Sequence, residues 1–221
     1  GLLNNFEIIT IRESVQSFLR EKYNKDSIFL RHPFHTYEKS NEKSEYYSTC
    51  ISRIDFDKNI HHILDANKYL DEERKISIFG AENRLYVFHK LKDMDFEKYW
   101  KGKYPKTLPL RYEGKDILNN CAFVVDMSII VGDGGGTQYT FLEAIYHDCA
   151  LILHKDWVEK GNTFKDKYNC YVVGYTDNVG KEISEIIQRG VNDEYRVIIK
   201  NAQQLLKKHT TNDWNSLSVK N

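Results

Sequence analysis

Short apolar runs alternate with longer amphipathic stretches along most of this 221-residue chain. Five runs of four to six residues predict buried strands, and they cover residues 47–52, 76–79, 122–126, 150–153 and 170–173. The stretches between and after them predict helices over residues 58–70, 83–91, 115–120, 137–147, 178–189 and 194–208. Continuous apolar strands separated by helices are typical of a parallel sheet that is covered on both faces. The pattern therefore predicts an α/β fold with a doubly wound, Rossmann-like parallel sheet.

A smaller unit of the same kind precedes this pattern. Two short apolar runs predict strands at residues 6–10 and 28–30, and an amphipathic stretch between them predicts a helix at residues 12–23. Pro33 and a polar stretch after it indicate a break in the chain. We therefore expect residues 1–34 to be the remnant of an N-terminal domain with its interdomain link, and residues 35–221 to form the main domain.

Composition excludes several classes of protein. Lys plus Arg and Asp plus Glu both number 32, so the net charge is zero and a basic footprint for nucleic acid is absent. No apolar run is long enough to span a bilayer as a transmembrane segment. The four cysteines are far apart, with no C-x-x-C pair and no metal-type histidine spacing. We therefore expect reduced thiols in a cytoplasmic protein, and no metal site.

A glycine-rich loop is the strongest functional feature of the sequence. Four of the five residues from 132 to 136 are glycine, and the loop leads from an apolar strand region into a predicted helix. Such a backbone lets a ligand approach closely, and the free amides at the helix start suit a phosphate. The residues concerned are Asp133, Gly134, Gly135, Gly136 and Thr137. The alternative is a flexible loop in which Thr137 caps the helix and Asp133 belongs to a turn.

Glu143 lies on the helix that is predicted to follow this loop. At 100° per residue it projects beside Tyr139, Leu142 and Tyr146, the apolar stripe of the helix. A carboxylate at the edge of a buried face needs a partner, because an unpaired buried charge is costly. Glu143 therefore either forms a salt bridge or cap to another element, or accepts hydrogen bonds from ligand hydroxyls at the strand ends.

Two cations follow the first strand of the main domain. Arg53 lies just past the carboxyl end of that strand, where open α/β sheets bind ligands. Asp57 predicts a helix N-cap, which places Lys58 in the first helical turn, where the helix dipole disfavours a cation. The two cations make sense together if they face an anion such as a diphosphate. The alternative is that both are solvated surface charges.

Taken in order, these motifs resemble the C-terminal, donor-binding domain of retaining GT-B-fold glycosyltransferases close to glycosyltransferase family 4. The resemblance covers roughly residues 27–218, which is most of the chain. A strand that ends in glycine, at residues 76–80, and an apolar strand at residues 150–153 belong to it. The other matching motifs are Ser52-Arg53-Ile54 at a strand end, Lys58-Asn59 at a helix start, Phe141-Leu142-Glu143-Ala144 at the end of the family's E-x7-E segment, and Tyr168-Asn169-Cys170 at its G-x-N-G turn.

The resemblance implies that residues 35–221 are the nucleotide-sugar donor-binding, C-terminal half of a GT-B fold. Arg53 and Lys58 would be the catalytic cations that neutralise the donor diphosphate, and Glu143 would accept hydrogen bonds from the ribose hydroxyls. The amides of the glycine loop would lie beside the phosphate and the donor sugar, together with those of Thr137, Gln138 and Tyr139. The implied reaction transfers a sugar from a nucleotide diphosphate sugar to an unidentified acceptor with retention, and it needs no cofactor or tightly bound metal.

The sequence departs from the family pattern in two respects. Gly135 stands where the family has the first glutamate of E-x7-E, and Asp133 lies nearby but off register. The chain also has at most the last strand and helix of the N-terminal domain that holds the acceptor, so we expect a fragment or a chain that a partner completes. The alternative function is a non-catalytic nucleotide-sugar-binding module. Another doubly wound enzyme, phosphorylase-like or epimerase-like, is disfavoured because no early G-x-G-x-x-G loop follows a first strand.

Overall fold

Five short apolar strands form one parallel sheet in the order β4–β3–β5–β6–β7, and two further strands, β1 and β2, form a separate parallel pair. The computed structural model describes residues 6–39, 43–103, 115–130, 138–210, 212–215 and 217. The strands are β1 (Ile9–Thr10), β2 (Ile28–Phe29), β3 (Ser48–Ile51), β4 (Ile76–Phe79), β5 (Phe123–Asp126), β6 (Ala150–His154) and β7 (Tyr171–Val173). In register, Ser48 lies opposite both Ile76 and Phe123, and Phe123 lies opposite Ala150.

Helices connect the strands as parallel pairing requires. They are α1 (Glu13–Tyr23), α2 (Ile60–Asn67), α3 (Arg84–Tyr86), α4 (Phe96–Tyr99), α5 (Lys115–Leu118), α6 (Tyr139–Tyr146), α7 (Asp156–Glu159), α8 (Val179–Arg189), α9 (Asp193–Leu206) and α10 (Asn212–Asn215). The predicted helix over residues 83–91 changes form, because a π-helical turn over Val87–Leu91 follows α3. The helices α4, α7 and α10 were not predicted, since four residues are too few to display a helical period.

The sheet has a hydrophobic core on each face. Cys50, Phe123 and Ile152 belong to the core that includes residues of α2 and α8. Their sequence neighbours Val124 and Leu151 belong to the core that includes residues of α6 and α9. Because successive side chains of a strand point to opposite faces, a sheet buried on both faces needs apolar residues at nearly every position. The predicted doubly wound parallel sheet is therefore confirmed.

The first unit packs less tightly than the main domain. None of the residues of α1 is buried, and β1 pairs only with β2 among the described strands. The segment after β2 is tied to the chain beyond α9 instead. The Phe34 amide donates to the His209 carbonyl (2.9 Å), His209 Nδ1 donates to the His32 carbonyl (2.7 Å), and Trp214 Nε1 donates to the Arg31 carbonyl (2.8 Å). The division into residues 1–34 and 35–221 stays a prediction.

Two further predictions from sequence are reduced cysteines and the absence of a transmembrane segment. All four cysteines are free thiols, and all are buried. Within the described part of the chain, no helix is both long enough and apolar enough to cross a membrane.

Candidate functional site

The turn after β3 brings the two predicted cations together on one carboxylate. Asp57 Oδ2 lies 3.2 Å from Lys58 Nζ and 3.6 Å from Arg53 Nη2. The Arg53 side chain is 66% exposed, whereas that of Lys58 is only 13% exposed. Arg53 also lies 3.4 Å from Asp55. The turn therefore presents one accessible guanidinium and one largely covered ammonium at the carboxyl edge of the sheet.

Asp57 does not cap a helix, and this part of the prediction is wrong. A 3₁₀ turn over Phe56–Lys58 comes first, and its cap is Asp55, whose Oδ1 accepts from the Phe56 amide (2.8 Å) and from Asn83 Nδ2 (3.0 Å). The Phe56 hydrogen bond is the main reason that the pKa of Asp55 lies below its ordinary value. Lys58 ends this turn, and α2 begins only at Ile60, after Asn59 in a left-handed conformation (φ 46°). With the cap supplied by Asp55, Asp57 is available to the cations.

The same turn contacts the segment that follows β5. Asn59 Nδ2 donates to the Met127 carbonyl (3.1 Å), and the Ile129 amide donates to the Asp57 carbonyl (2.9 Å). Because β3 and β5 are adjacent parallel strands, their carboxyl ends meet at the same edge of the sheet. The cationic turn therefore lies beside Met127–Ile130, the segment that leads into the glycine-rich loop.

Asp126 is a buried acid that sequence reasoning missed. It ends β5 and is 2% exposed, and its Oδ1 accepts from the Ser128 amide (2.8 Å). Its Oδ2 has no hydrogen-bond partner among the described residues. Burial raises the pKa of Asp126, while hydrogen bonding from Ser128 and the positive charge of Lys58 oppose that rise. The available signal was an acid at the last position of an otherwise apolar strand.

Glu143 lies in the second turn of α6 and is 4% exposed. Its apolar neighbours on the helix, Phe141, Ala144 and Ile145, belong to the core on that face of the sheet. Among the described residues no hydrogen bond or ion pair reaches its carboxylate, so the partner that its burial requires is not found there. Burial alone raises the pKa of Glu143 to about 7. No contact joins Glu143 to Arg53 or Lys58 in the described structure.

The start of α6 lies later than predicted. Gln138 occupies the N-cap position, and its carbonyl accepts from the Phe141 amide (3.1 Å). Tyr139, the first helical residue, packs its ring against those of His32 (5.4 Å) and Phe34 (5.6 Å). The remaining residues of the predicted loop site, Asp133, Gly134, Gly135, Gly136 and Thr137, lie outside the described residues.

The segment after β6 forms the short helix α7, and its residue Trp157 is buried. Asp156, which begins α7, accepts from the Ile130 amide (3.2 Å) and from Lys160 Nζ (2.6 Å). Lys160 Nζ also donates to the Ile130 carbonyl (3.2 Å). These contacts join α7 to Met127–Ile130, and no sequence pattern predicts them.

A polar cavity of about 600 Å³ lies between the first unit, the residues after α7 and the end of α9. Its charged lining includes Glu13, Arg31, Lys160 and Lys208. Asn162 Nδ2 donates to Glu13 across it (3.2 Å). Arg53, Lys58 and Glu143 do not line this cavity, so it is not the candidate site. The two are neighbours, because Lys160 lines the cavity and also contacts Ile130. In the described ranges no three or more His, Cys, Asp or Glu residues are arranged to hold a metal ion.

Comparisons with known proteins find relatives by structure alone. No protein-family model matches the sequence, and no curated protein matches it significantly. The fold is similar to that of HepE from Anabaena, in complex with UDP and glucose, with a TM-score of 0.72 and 17% identity over 98% of this chain and 63% of HepE. It is also similar to a mutant of S. aureus TarM in complex with fondaparinux, α-GlcNAc-glycerol and UDP, with a TM-score of 0.69 and 15% identity over 97% of this chain and 44% of TarM.

A third similar structure is the pneumococcal O-GlcNAc transferase GtfA in complex with UDP and GlcNAc. Its TM-score is 0.62, with 19% identity over 95% of this chain and 44% of GtfA. The chain thus spans less than two thirds of the length of each of these proteins. The similarity extends over nearly all of the chain and includes its parallel sheet. The chain therefore has the fold of one Rossmann-like half of a GT-B glycosyltransferase.

Proposed function

We propose that this chain is the donor-binding part of a retaining, nucleotide-sugar-dependent glycosyltransferase of the family 4 type. The observation that carries the proposal is the convergence of Arg53 and Lys58 on Asp57 at the carboxyl edge of the sheet. Ligands of open α/β sheets bind at this edge. The structures of HepE, TarM and GtfA support the proposal, because each of them contains UDP.

Arg53 and Lys58 bind the diphosphate of the donor. The exposed guanidinium of Arg53 can pair with two phosphate oxygens at once, whereas the Lys58 ammonium acts as a point charge. Negative charge grows on the diphosphate as its bond to the sugar breaks. Two fixed cations therefore stabilise the transition state more than the bound donor, and this lowers the barrier to transfer without a metal ion.

Glu143 accepts hydrogen bonds from the ribose hydroxyls. Its carboxyl group is buried, has a pKa raised to about 7, and lacks a hydrogen-bond partner in the described structure. Two ligand hydroxyls would donate the hydrogen bonds that the described residues around Glu143 do not provide. Their hydrogen bonds favour the ionised carboxylate, so nucleotide binding lowers the pKa of Glu143. A site that forms hydrogen bonds with ligand hydroxyl groups also binds ligands without these groups more weakly.

The backbone of residues 133–139 binds the phosphate and the donor sugar. Gln138 caps α6 and Tyr139 begins it, and the first amides of a helix have no carbonyl partner within the helix. These amides, with the glycine-loop residues Asp133, Gly134, Gly135, Gly136 and Thr137, suit an anion.

The acceptor binds outside the donor domain. We assign donor binding to residues 35–221 and treat residues 1–34 as the end of an N-terminal domain. The proteins with similar folds are longer, and this chain matches 63% of HepE and 44% of TarM. A further domain or a partner chain would hold the acceptor above the donor sugar.

Calorimetric titration with UDP, GDP and ADP tests donor binding. We expect at least one of them to bind in the micromolar to millimolar range, and Arg53→Ala to weaken that binding about ten-fold, since a charge-assisted hydrogen bond is lost. Arg84→Ala is the matched control, because Arg84 is 93% exposed and pairs only weakly with Glu82 (4.0 Å). No affinity for any of the three nucleotides would contradict the proposal.

A turnover assay separates an enzyme from a binding module. The chain is incubated with the sugar donor of the nucleotide that binds, alone and with the missing domain or partner supplied. We expect release of the nucleoside diphosphate, and NMR of the product should show the anomeric configuration of the donor. Nucleotide binding without hydrolysis or transfer in either mixture would favour a non-catalytic module.

A further inference from the structure

The Met127–Ile130 segment is held at each of its four residues by a different group. It joins β5 to residue 131, where the glycine-rich loop region begins. Three of these contacts come from the strand end and the cationic turn, and the fourth comes from α7. In chain order the partners are Asn59 for Met127, Asp126 for Ser128, the Asp57 carbonyl for Ile129, and Asp156 with Lys160 for Ile130.

Ile130 differs from the other three residues because both of its backbone groups are held by side chains. Asp156 Oδ2 accepts from its amide at 3.2 Å, and Lys160 Nζ donates to its carbonyl at 3.2 Å. Asp156 and Lys160 also pair with each other at 2.6 Å. The three residues thus form a closed triangle of hydrogen bonds, in which no member can move without loss of two contacts.

The charges of this triangle are balanced, and the carboxylate is buried while the ammonium is half-exposed. The Asp156 side chain is 11% exposed and that of Lys160 is 50% exposed. Burial raises the pKa of Asp156, but the Lys160 and Ile130 hydrogen bonds and the nearby positive charges outweigh it, so the pKa lies below its ordinary value. His154 Nδ1 lies 3.4 Å from the other carboxylate oxygen. A buried carboxylate that is paired in this way is ionised and holds its donors firmly.

We propose that Asp156 and Lys160 are positioning residues for nucleotide binding. Ile129 is tied to the Asp57 backbone, next to Lys58, while Ile130 is tied to α7. The Asp156–Lys160 pair therefore fixes the Met127–Ile130 segment relative to the diphosphate-binding cations. Such preorganisation raises affinity because this segment and the cations beside it lose less freedom on binding. This inference rests on the proposed function of the site.

Two substitutions test the inference with one matched control. Lys160→Met keeps the length of a half-exposed side chain and removes both hydrogen bonds, whereas Asp156→Asn keeps an acceptor for Ile130 but removes the charge that holds Lys160. Lys181→Met is the control, because Lys181 forms an i,i+4 pair with Glu185 (4.0 Å) on α8 and does not contact Met127–Ile130. Asp156–Lys160 is also an i,i+4 pair.

Two measurements are made on each variant. Hydrogen–deuterium exchange follows the peptide that contains residues 127–130, and calorimetry measures affinity for whichever of UDP, GDP and ADP the unsubstituted chain binds most tightly. We expect faster exchange and about ten-fold weaker nucleotide binding in both variants, and no change in the control. The double variant should be little worse than either single one, because both residues hold Ile130.

The outcomes separate this inference from the proposed function. Unchanged exchange in Lys160→Met would overturn the anchoring of Ile130 itself. Faster exchange with nucleotide affinity within two-fold of the unsubstituted chain would overturn the positioning role while the proposed function stands. If the unsubstituted chain binds none of the three nucleotides, the proposed function fails and this inference falls with it.

Discussion

The Lys58 ammonium lies 3.2 Å from the Asp57 carboxylate, in a position where only 13% of the Lys58 side chain is exposed. The same carboxylate lies 3.6 Å from the Arg53 guanidinium. A single acid therefore partly neutralises both of the cations that we assign to the donor diphosphate. Because Asp57 does not cap a helix, its side chain has no other structural role among the described contacts. A bound diphosphate competes with Asp57 for the same charges.

We predict that Asp57→Asn tightens binding of the nucleoside diphosphate about three- to ten-fold at low salt. The substitution removes a negative charge next to the site and leaves both cations in place. Calorimetry at low and high salt measures the effect, which should shrink as salt screens the charges. Weaker binding in the variant would mean instead that Asp57 orients Arg53 and Lys58.

Glu143 should make stability depend on pH in an unusual direction. Its pKa is raised from 4.5 to about 7 by burial, so the folded chain holds a proton that the unfolded chain releases. Between these two pH values the folded state binds more protons, and the free energy of unfolding therefore falls as pH rises. Glu143→Gln removes this dependence, so the variant should be more stable than the natural chain at pH 8 by up to about 3 kcal/mol.

Urea unfolding at pH 5 and pH 8 measures this effect for the natural chain and for Glu143→Gln. Glu185→Gln is the control, because it makes the same change at a carboxylate of α8 that is 60% exposed. A gain in stability at pH 8 that is equal in both variants would contradict the assignment of the effect to Glu143.

Gly80 directly follows β4 at the site, and the backbone around it leaves no room for a larger residue. A Cβ atom there would overlap the Ser52 carbonyl oxygen, which belongs to the residue before Arg53. We predict that Gly80→Ala lowers the free energy of unfolding by about 3 kcal/mol and weakens nucleotide binding, because the backbone before Arg53 must move. Gly102→Ala is the control, since Gly102 has φ 95° but open space around it, so it tests backbone strain alone. Urea unfolding and calorimetry check both effects, and equal losses in the two variants would argue against the overlap.

Asp55 stabilises the cationic turn through its cap. Asp55→Ala removes the acceptor of the Phe56 amide (2.8 Å), and we predict a loss of about 1 kcal/mol in the free energy of unfolding. Because the folded pKa of Asp55 is lowered, this contribution is present above its ordinary value of 3.8 and disappears as pH falls below it. Thermal unfolding at neutral and acid pH measures the difference. Asp57→Ala should leave stability almost unchanged, and an equal loss in that variant would contradict the capping role.

The sheet was predictable because its signal is local. Most of the strands β3 to β7 are short apolar runs, although β3 also contains Ser48 and Thr49, and α2, α6 and α8 have an apolar stripe. The same local signal failed for α7, because four residues are too few to display a helical period. It also placed the start of α2 at Lys58, because Asp57 and Asp55 are equally good caps by sequence.

The site was predictable only in part. Arg53 and Lys58 were expected at the end of β3, and the structure brings them together on Asp57. Asp126 and the Asp156–Lys160 pair were not anticipated, since a single acid or lysine in a sequence is usually a solvated charge. Glu143 was expected to have a partner, and the described structure buries it without one.

The amino-acid sequence by itself determined the parallel sheet, its two covered faces and the presence of cations at a strand end. Those features depend on the order of apolar and polar residues within ten or so positions, and burial of apolar surface dominates folding. Only the tertiary structure decided which polar groups meet. Ile130 and Asp156 are 26 residues apart, and Asn59 and Met127 are 68 apart. A hydrogen bond requires atoms within about 3 Å, and only the packed strands bring such distant residues that close.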